Sequence, residues 1–341
     1  MPSSPSSMRS SAAAYDCVAV LGAGAWGSAL ALAAAGNAAK VLLWAREPEV
    51  VESIRSTREN RLFLPGVRIA DTIEATGESS RIVEADAVLL VTPAQYMRTT
   101  LSAMRGFLKP GTPVVICAKG IETGTGLLLN EVLDEVLPEA EPAILSGPSF
   151  ARDVARGLPT AVTIAARESV AVRLQASLGQ AWFRPYVSED VRGVALGGAA
   201  KNVYAIACGM VEGAGFGESA RAATISRGFA ELLRLGASLG SRSETLMGLS
   251  GLGDLVLTAT SMSSRNFSLG VALGKGARLD EVSGPGRPLA EGAATAPALV
   301  ARARRHGVEL PIAEAVADVL AGHLQVHEAA ERLLARPLKS E

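Results

Sequence analysis

The sequence predicts two domains of different class: an α/β half built on a doubly wound, parallel-rich sheet, then an all-α half. Three observations carry this. The first half alternates short apolar runs of strand length with helical patterns. From about residue 188 helical periodicity and glycine breaks continue, but strand alternation stops. With 341 residues and 48% hydrophobic content, the chain has enough apolar material for two cores. The expected division is an extension over 1–14, an α/β domain over 15–187 and a helical domain over 188–341.

Residues 1–14 (MPSSPSSMRSSAAA) are rich in Ser and Pro and are expected to be disordered. With the apolar run beyond Cys17 they faintly mimic a signal peptide. Asp16 precedes that run and glycines interrupt it, so the signal is rejected. CVAVLG (17–22) reads as a strand, AWGSALALAAAG (25–36) as a helix closed by Gly36, and KVLLWA (40–45) as the next strand. AVLLVTP (87–93) and TPVVICA (112–118) are buried strands, and a helix follows near 126–136. AVTIAA (161–166) and a helix over about 169–180 extend the alternation. Past RPYVSED, Ser188 is expected to cap a long helix with Glu189 and Asp190 in its first turn. Further helices are expected over 218–239, with Arg227 and Glu231 at i,i+4, then over 292–306, 312–321 and 327–335.

Charge and cysteines exclude several classes. Lys and Arg total 33 against 34 Asp and Glu, so the chain lacks the basic excess of a nucleic-acid binder, and no such partner is expected. Cys17, Cys117 and Cys208 are far apart in apolar stretches, which reads as reduced, buried thiols and a cytoplasmic setting. No uninterrupted apolar stretch reads as a membrane helix, so no integral membrane segment is expected. His306, His323 and His327 read as surface residues, no cluster has metal-ligand spacing, and no metal is expected. Arg302, Arg304 and Arg305 read as a solvated helix face.

GAGAWG (22–27) fits G-x-G-x-x-G and sits between a strand and a helix, the setting a Rossmann-type dinucleotide site requires. Gly22 allows the tight turn, Gly24 the approach of a pyrophosphate, and Gly27 close packing of helix on strand. The helix N-terminus offers its N–H groups to the anion. At the end of the next strand stands Arg46, which suits a 2′-phosphate, so NADP(H) is favoured. Glu47 beside it keeps NAD(H) open. Lys119, in AKGIETGTG, lies just past a strand's C-terminal end, where open parallel sheets bind ligands; a solvated loop lysine has the same pattern. Ser149, in LSGPSFARDVARGLPTAV, either meets a polar substrate with the first helical N–H groups or simply caps the helix. GLSGLGDLVLTATSMSSRNFSLG (248–270) is the densest polar island, holding Asp254, Ser264, Arg265 and Asn266. An Arg with hydroxyl and amide neighbours suits a phosphate, although a capped loop with a surface Arg fits as well. Lys201, amid small and apolar residues in LGGAAKNVYAIACGM (196–210), is either a cleft-facing acid or a stem whose charge escapes to water.

In their order along the chain, GAGAWGSALA, AKGIETGTG, GPSFARDVARGLPTA, LGGAAKNVYAIACGMVEGAGFGESARAATISRG, GLSGLGDLVLTATSMSSRN and AEGAATA closely resemble the bacterial NAD(P)-dependent sn-glycerol-3-phosphate dehydrogenases. The resemblance runs from about Val18 to about Ile312. It implies reversible reduction of dihydroxyacetone phosphate to sn-glycerol 3-phosphate by NAD(P)H, supplying glycerophospholipid synthesis, with a homodimer as the expected assembly. It makes Lys201 the general acid/base, with Lys119 between cofactor and substrate and Asp254 beside the catalytic lysine. It also implies substrate contacts from Gly147, Ser149, Ser264, Arg265 and Asn266. Cofactor contacts are expected from Ala25, Trp26, Arg46, Ala151, Leu289 and Glu291, joined by Lys119 and Arg265. Ala200 and Asp153 depart from the commoner Leu and Glu, and neither removes a proposed functional side chain. Two rivals remain: a dehydrogenase of another hydroxy or sugar acid, and a non-catalytic NADPH-binding protein.

Overall fold

The computed structural model describes residues 13–284 and 290–337. The α/β domain begins with β1 (Cys17–Leu21), α1 (Ala25–Ala34), β2 (Lys40–Trp44) and α2 (Pro48–Thr57). A small antiparallel pair, β3 (Glu59–Asn60) and β4 (Leu64–Arg68), precedes β5 (Ile73–Thr76). There follow β6 (Ala87–Leu90), α3 (Met97–Met104), β7 (Pro113–Ile116), α4 (Leu129–Val136) and β8 (Glu141–Ser146). The domain ends with α5 (Ala151–Ala155), β9 (Thr160–Ala165), α6 (Glu168–Leu178) and β10 (Phe183–Ser188).

Eight strands form one sheet in the order β10-β9-β8-β7-β6-β1-β2-β5. The chain winds outward from β1 to β5, returns to β6 and winds the other way. The strand order therefore reverses between β1 and β6, where open α/β sheets take their ligands. β1, β6 and β7 are buried at every position because helices cover both faces, which explains their unbroken apolar runs. The expected alternation fails beyond β8: β9 runs antiparallel to it, and β10 parallel to β9. A parallel return would have to carry the chain back along the whole of β8. The five-residue α5 covers only about 7 Å, so the chain turns round instead.

The helical domain comprises α7 (Val191–Gly213), α8 (Glu218–Ser238), α9 (Ser243–Met247), α10 (Asp254–Ala259) and α11 (Arg265–Gly274). It continues with α12 (Leu279–Val282), α13 (Glu291–Arg305), α14 (Pro311–Leu320) and α15 (Val326–Leu334). By length and composition α7 alone among the described helices passes for a membrane span, contrary to expectation. However, 89% of its most apolar 18-residue window is buried, as in a core helix. Its close crossing with α11 is made by glycines. A Cβ on Gly209 would overlap the Phe267 carbonyl oxygen, and one on Gly270 the Ile206 carbonyl oxygen.

Several local expectations are corrected. Ser188 ends β10 rather than capping a helix. Asp190 caps α7, its Oδ1 accepting from Gly193 N at 2.8 Å, and Glu189 precedes the helix. The sequence pattern misses the strand because Pro185 interrupts it, which an edge strand tolerates. Arg302 is not solvated; it is buried against Glu131, while Arg304 and Arg305 are exposed. Glu231 does not pair with Arg227 on the surface. It is buried and accepts from Ile312 N at 2.8 Å and Ala313 N at 3.3 Å, which caps α14. The three cysteines are free and buried, and the three histidines are exposed. Residues 1–12 of the expected extension lie outside the described residues, as does Leu289.

Candidate active site

α7 carries Lys201 to the seam between the domains, and the chain leaving β7 brings Lys119 to the same place. Asp254, the first residue of α10, lies between them. Lys201 Nζ donates to Asp254 Oδ1 at 2.9 Å and to Thr258 Oγ1 at 2.7 Å. Lys119 Nζ donates to Asp254 Oδ2 at 2.6 Å and to the Gly147 carbonyl at 3.0 Å. One carboxylate thus bridges two ammonium groups from different domains. Lys201 is only 7% exposed and Asp254 1%, so Lys201 is not a stem with its charge in water. Burial pushes the Lys201 ammonium down to about 8, against the pull of Asp254. Burial alone would raise the Asp254 carboxyl. The two lysines outweigh it and hold the group below the usual carboxylate range.

Local sequence explains this convergence. A Cβ on Gly198 would stand 2.7 Å from Ser146 Oγ, so the bare α7 backbone makes room for the end of β8, while the Lys119 stem packs alongside in ordinary contact. Gly251 permits the tight turn before Asp254, since a Cβ there would overlap the Leu246 carbonyl. Gly147 has φ +150°, and its Cβ would lie 2.8 Å from Val162 Cα. Its carbonyl accepts from both Lys119 and Ser149 Oγ, the latter at 3.0 Å. Ser149 therefore faces this cluster and does not cap α5.

A chain of amides links the cluster to the polar island. Asn202 Nδ2 donates to the Lys119 carbonyl at 3.1 Å, and Asn202 Oδ1 accepts from Asn266 Nδ2 at 2.9 Å. Asn266 Oδ1 in turn accepts from Gly292 N at 2.9 Å. Ser264 caps α11 by accepting from Phe267 N at 3.2 Å, and Arg265 stands exposed at the first position of that helix. Thr258 and Asn202 were not singled out from the sequence. The only local signals were the i+4 spacing of Thr258 from Asp254 and the place of Asn202 next to Lys201.

The cleft beside β1 and β6 fits a dinucleotide. Gly22 has φ +115°, and a Cβ there would lie 3.1 Å from the Val91 carbonyl carbon. Nothing approaches within 4 Å of a Cβ on Gly24, while one on Gly27 would overlap the Gly22 carbonyl oxygen. Ala25 and Trp26 open α1, whose N-terminus carries no side-chain cap. Trp26 Nε1 and Thr92 Oγ1 are buried without a hydrogen-bond partner. Such groups are costly unless a ligand satisfies them. Thr92, just past β6 beside the Gly22 turn, was also missed, because an orphaned hydroxyl has no sequence signature. Ala151 opens α5, which packs on α1. Glu291 opens α13 and accepts from Ala94 N at 2.9 Å; burial pushes its carboxyl up. Arg46 is exposed past β2, with its guanidinium on Glu47 Oε1 at 2.8 Å. Among the described residues no group of three or more His, Cys, Asp or Glu is arranged to hold a metal.

Two family models match the chain: the N-terminus of NAD-dependent glycerol-3-phosphate dehydrogenase over residues 17–172 and its C-terminus over 190–331. A Parvibaculum lavamentivorans glycerol-3-phosphate dehydrogenase [NAD(P)+] is 56% identical, with 96% of this chain and 99% of the relative aligned. A Rhodospirillum rubrum protein of the same name is 54% identical over 96% and 94% of the two chains. Among solved structures, the glycerol-3-phosphate dehydrogenase of Coxiella burnetii superposes with TM-score 0.89 at 37% identity, covering 94% of this chain and 99% of that one. A ketopantoate reductase from Ralstonia eutropha, at 17% identity and TM-score 0.60 over 92% and 99% of the two chains, shares the fold.

Proposed function

The chain belongs to the NAD-dependent glycerol-3-phosphate dehydrogenase family, and on that premise we propose how its own residues do the work. It is an NAD(P)-dependent oxidoreductase that interconverts dihydroxyacetone phosphate and glycerol 3-phosphate. The Gly22–Gly27 turn and the N-terminus of α1 would hold the nicotinamide nucleotide, which would supply or take up the hydride. Lys201 Nζ, as ammonium, gives its proton to the alkoxide oxygen that develops at C2 of the substrate and regains it in the reverse direction. Positioned acid catalysis of this kind contributes about 10²–10⁴-fold. Asp254 keeps the ammonium charged in its buried setting, and Thr258 fixes its direction. Lys119 lies between the cofactor cleft and the substrate. Arg265, with the second amide N–H of Asn266 and the Ser264 hydroxyl, holds the phosphate and fixes the carbonyl's position.

The observation that carries this reading is the single buried carboxylate shared by lysines from both domains. NADP(H) is the favoured nucleotide on the strength of Arg46, an exposed guanidinium past β2 that suits a 2′-phosphate. Supply of glycerol 3-phosphate for glycerophospholipids is the proposed role, in a cytoplasmic setting that the three free cysteines suit. The test is loss of NADPH absorbance on adding dihydroxyacetone phosphate, repeated with NADH, in wild type and Lys201→Ala. The variant should lose at least about 10²-fold in kcat and still bind NADPH. Near-normal turnover by the variant would remove Lys201 from its role, and faster turnover with NADH would reverse the nucleotide preference.

A further inference from the structure

Arg302 sits on the half of α13 remote from the site, yet it is 7% exposed and strongly held. Its guanidinium forks onto Glu131, with Nη1 donating to Oε2 and Nη2 to Oε1, each at 2.7 Å. Nη1 also donates to the Gly126 carbonyl at 2.9 Å, and Arg305 Nη1 reaches the Thr125 carbonyl at 2.8 Å. All these partners belong to the sheet domain, Glu131 being on α4. The opening turn of α13 is held to the same domain: Glu291 takes the Ala94 N–H, and a Cβ on Gly120 would lie 3.3 Å from Thr295 Oγ1. Between these ends Ala296, Leu299 and Ala303 are buried in the helical core. A helix of one domain is therefore bolted at both ends to the other.

The two anchors are about three turns apart, or about 16 Å of helix. Pro297, between the anchors, lacks an N–H and leaves one helical hydrogen bond unmade. The other bonds and the burial of Ala296 and Leu299 keep α13 one continuous helix, so a shift at the fork reaches the opening turn. That turn borders Ala94 and Gly120, next to Thr92 and Lys119. We infer that Arg302 is a positioning residue for nucleotide binding: its fork on Glu131 holds the first turn of α13 in the arrangement that receives the dinucleotide. This rests on the reading of that edge as the cofactor cleft.

The test compares wild type with Arg302→Met, Arg302→Lys and the double variant Glu131→Gln with Arg302→Met. Steady-state kinetics and fluorescence titration with NADPH are run beside thermal melts. In the double variant the new amide oxygen still accepts from Leu128 N, and no unpaired carboxylate is left buried. That variant therefore decides the matter if Arg302→Met does not fold. A loosened α13 lowers the competent population, which raises the apparent Kd in proportion, while saturating nucleotide restores that population. Expected are a rise of about fivefold or more in nucleotide KM and Kd and a kcat within about twofold of wild type. Arg302→Lys, which keeps a donor to Glu131, should lie between. A folded double variant with wild-type KM and Kd overturns the inference. So does a loss confined to melting temperature and active fraction. If the wild type does not turn over dihydroxyacetone phosphate, the functional reading fails by itself, and the Kd series still decides the role of Arg302.

Discussion

At the scale of single residues the central fact is the proton affinity of Lys201. In the role proposed for it, reduction needs its ammonium form and oxidation its neutral form. With burial holding it near 8, kcat for reduction should fall about tenfold per pH unit above that value. Oxidation should rise through the same pH. Asp254→Asn removes the charge that favours the ammonium and should move both midpoints to lower pH. Rate profiles in the two directions check this, and a midpoint unmoved by Asp254→Asn would contradict the assigned electrostatics. The sequence drew notice to Lys201, Lys119 and Asp254 as charges in glycine-rich or apolar runs but left alternatives open. Their roles came from the family motifs, and the structure brings the three side chains together. Thr258 and Asn202 were not legible, because the groups that give them purpose lie 57 and 83 residues away.

At the scale of elements, the crossing of α7 and α11 sets how far Arg265 and Asn266, the residues proposed to hold the phosphate, stand from Lys201. Gly209 and Gly213 on one helix meet Gly270 and Gly274 on the other so closely that their bare backbones touch. Gly209→Ala gains up to about 1 kcal/mol in helix propensity. It also drives a Cβ into the Phe267 carbonyl, and forced repacking of that sort costs about 1–3 kcal/mol. The obstacle is backbone, so the second effect should win: a lower melting temperature and a higher KM for dihydroxyacetone phosphate. Melts and kinetics check it; an unchanged substrate KM would show that the register of α11 does not matter. The central strands and long helices were readable from periodicity. β5, β8 and β10 were not singled out; β8 and β10 contain prolines, and only pairing in the sheet makes those segments extended.

For the whole molecule, stability should depend on pH through a group with no part in the chemistry. Burial pushes the Glu231 carboxyl up to about 7, against the α14 N–H groups it caps. A raised folded value means that its contribution is fully present below the unfolded value, near 4.5, and is lost as pH rises through about 7. Glu231→Gln should flatten the melting temperature across that window while leaving catalytic pH profiles in place. An equally steep variant would place the dependence elsewhere. The two-domain plan itself was legible, because the alternation of strands and helices in the first half gives way to helices alone after β10. The reversal at β9 was not, since strand direction depends on where the connection lands. The bridging carboxylate of Asp254 has a further meaning for inheritance. The acidity of Lys201 is set partly by Lys119, a side chain from the other domain, so the two halves cannot be traded separately between related enzymes. A hybrid gene joining this helical half to a foreign sheet half would inherit both folds, yet it would work at the wrong pH unless the lysine came with it.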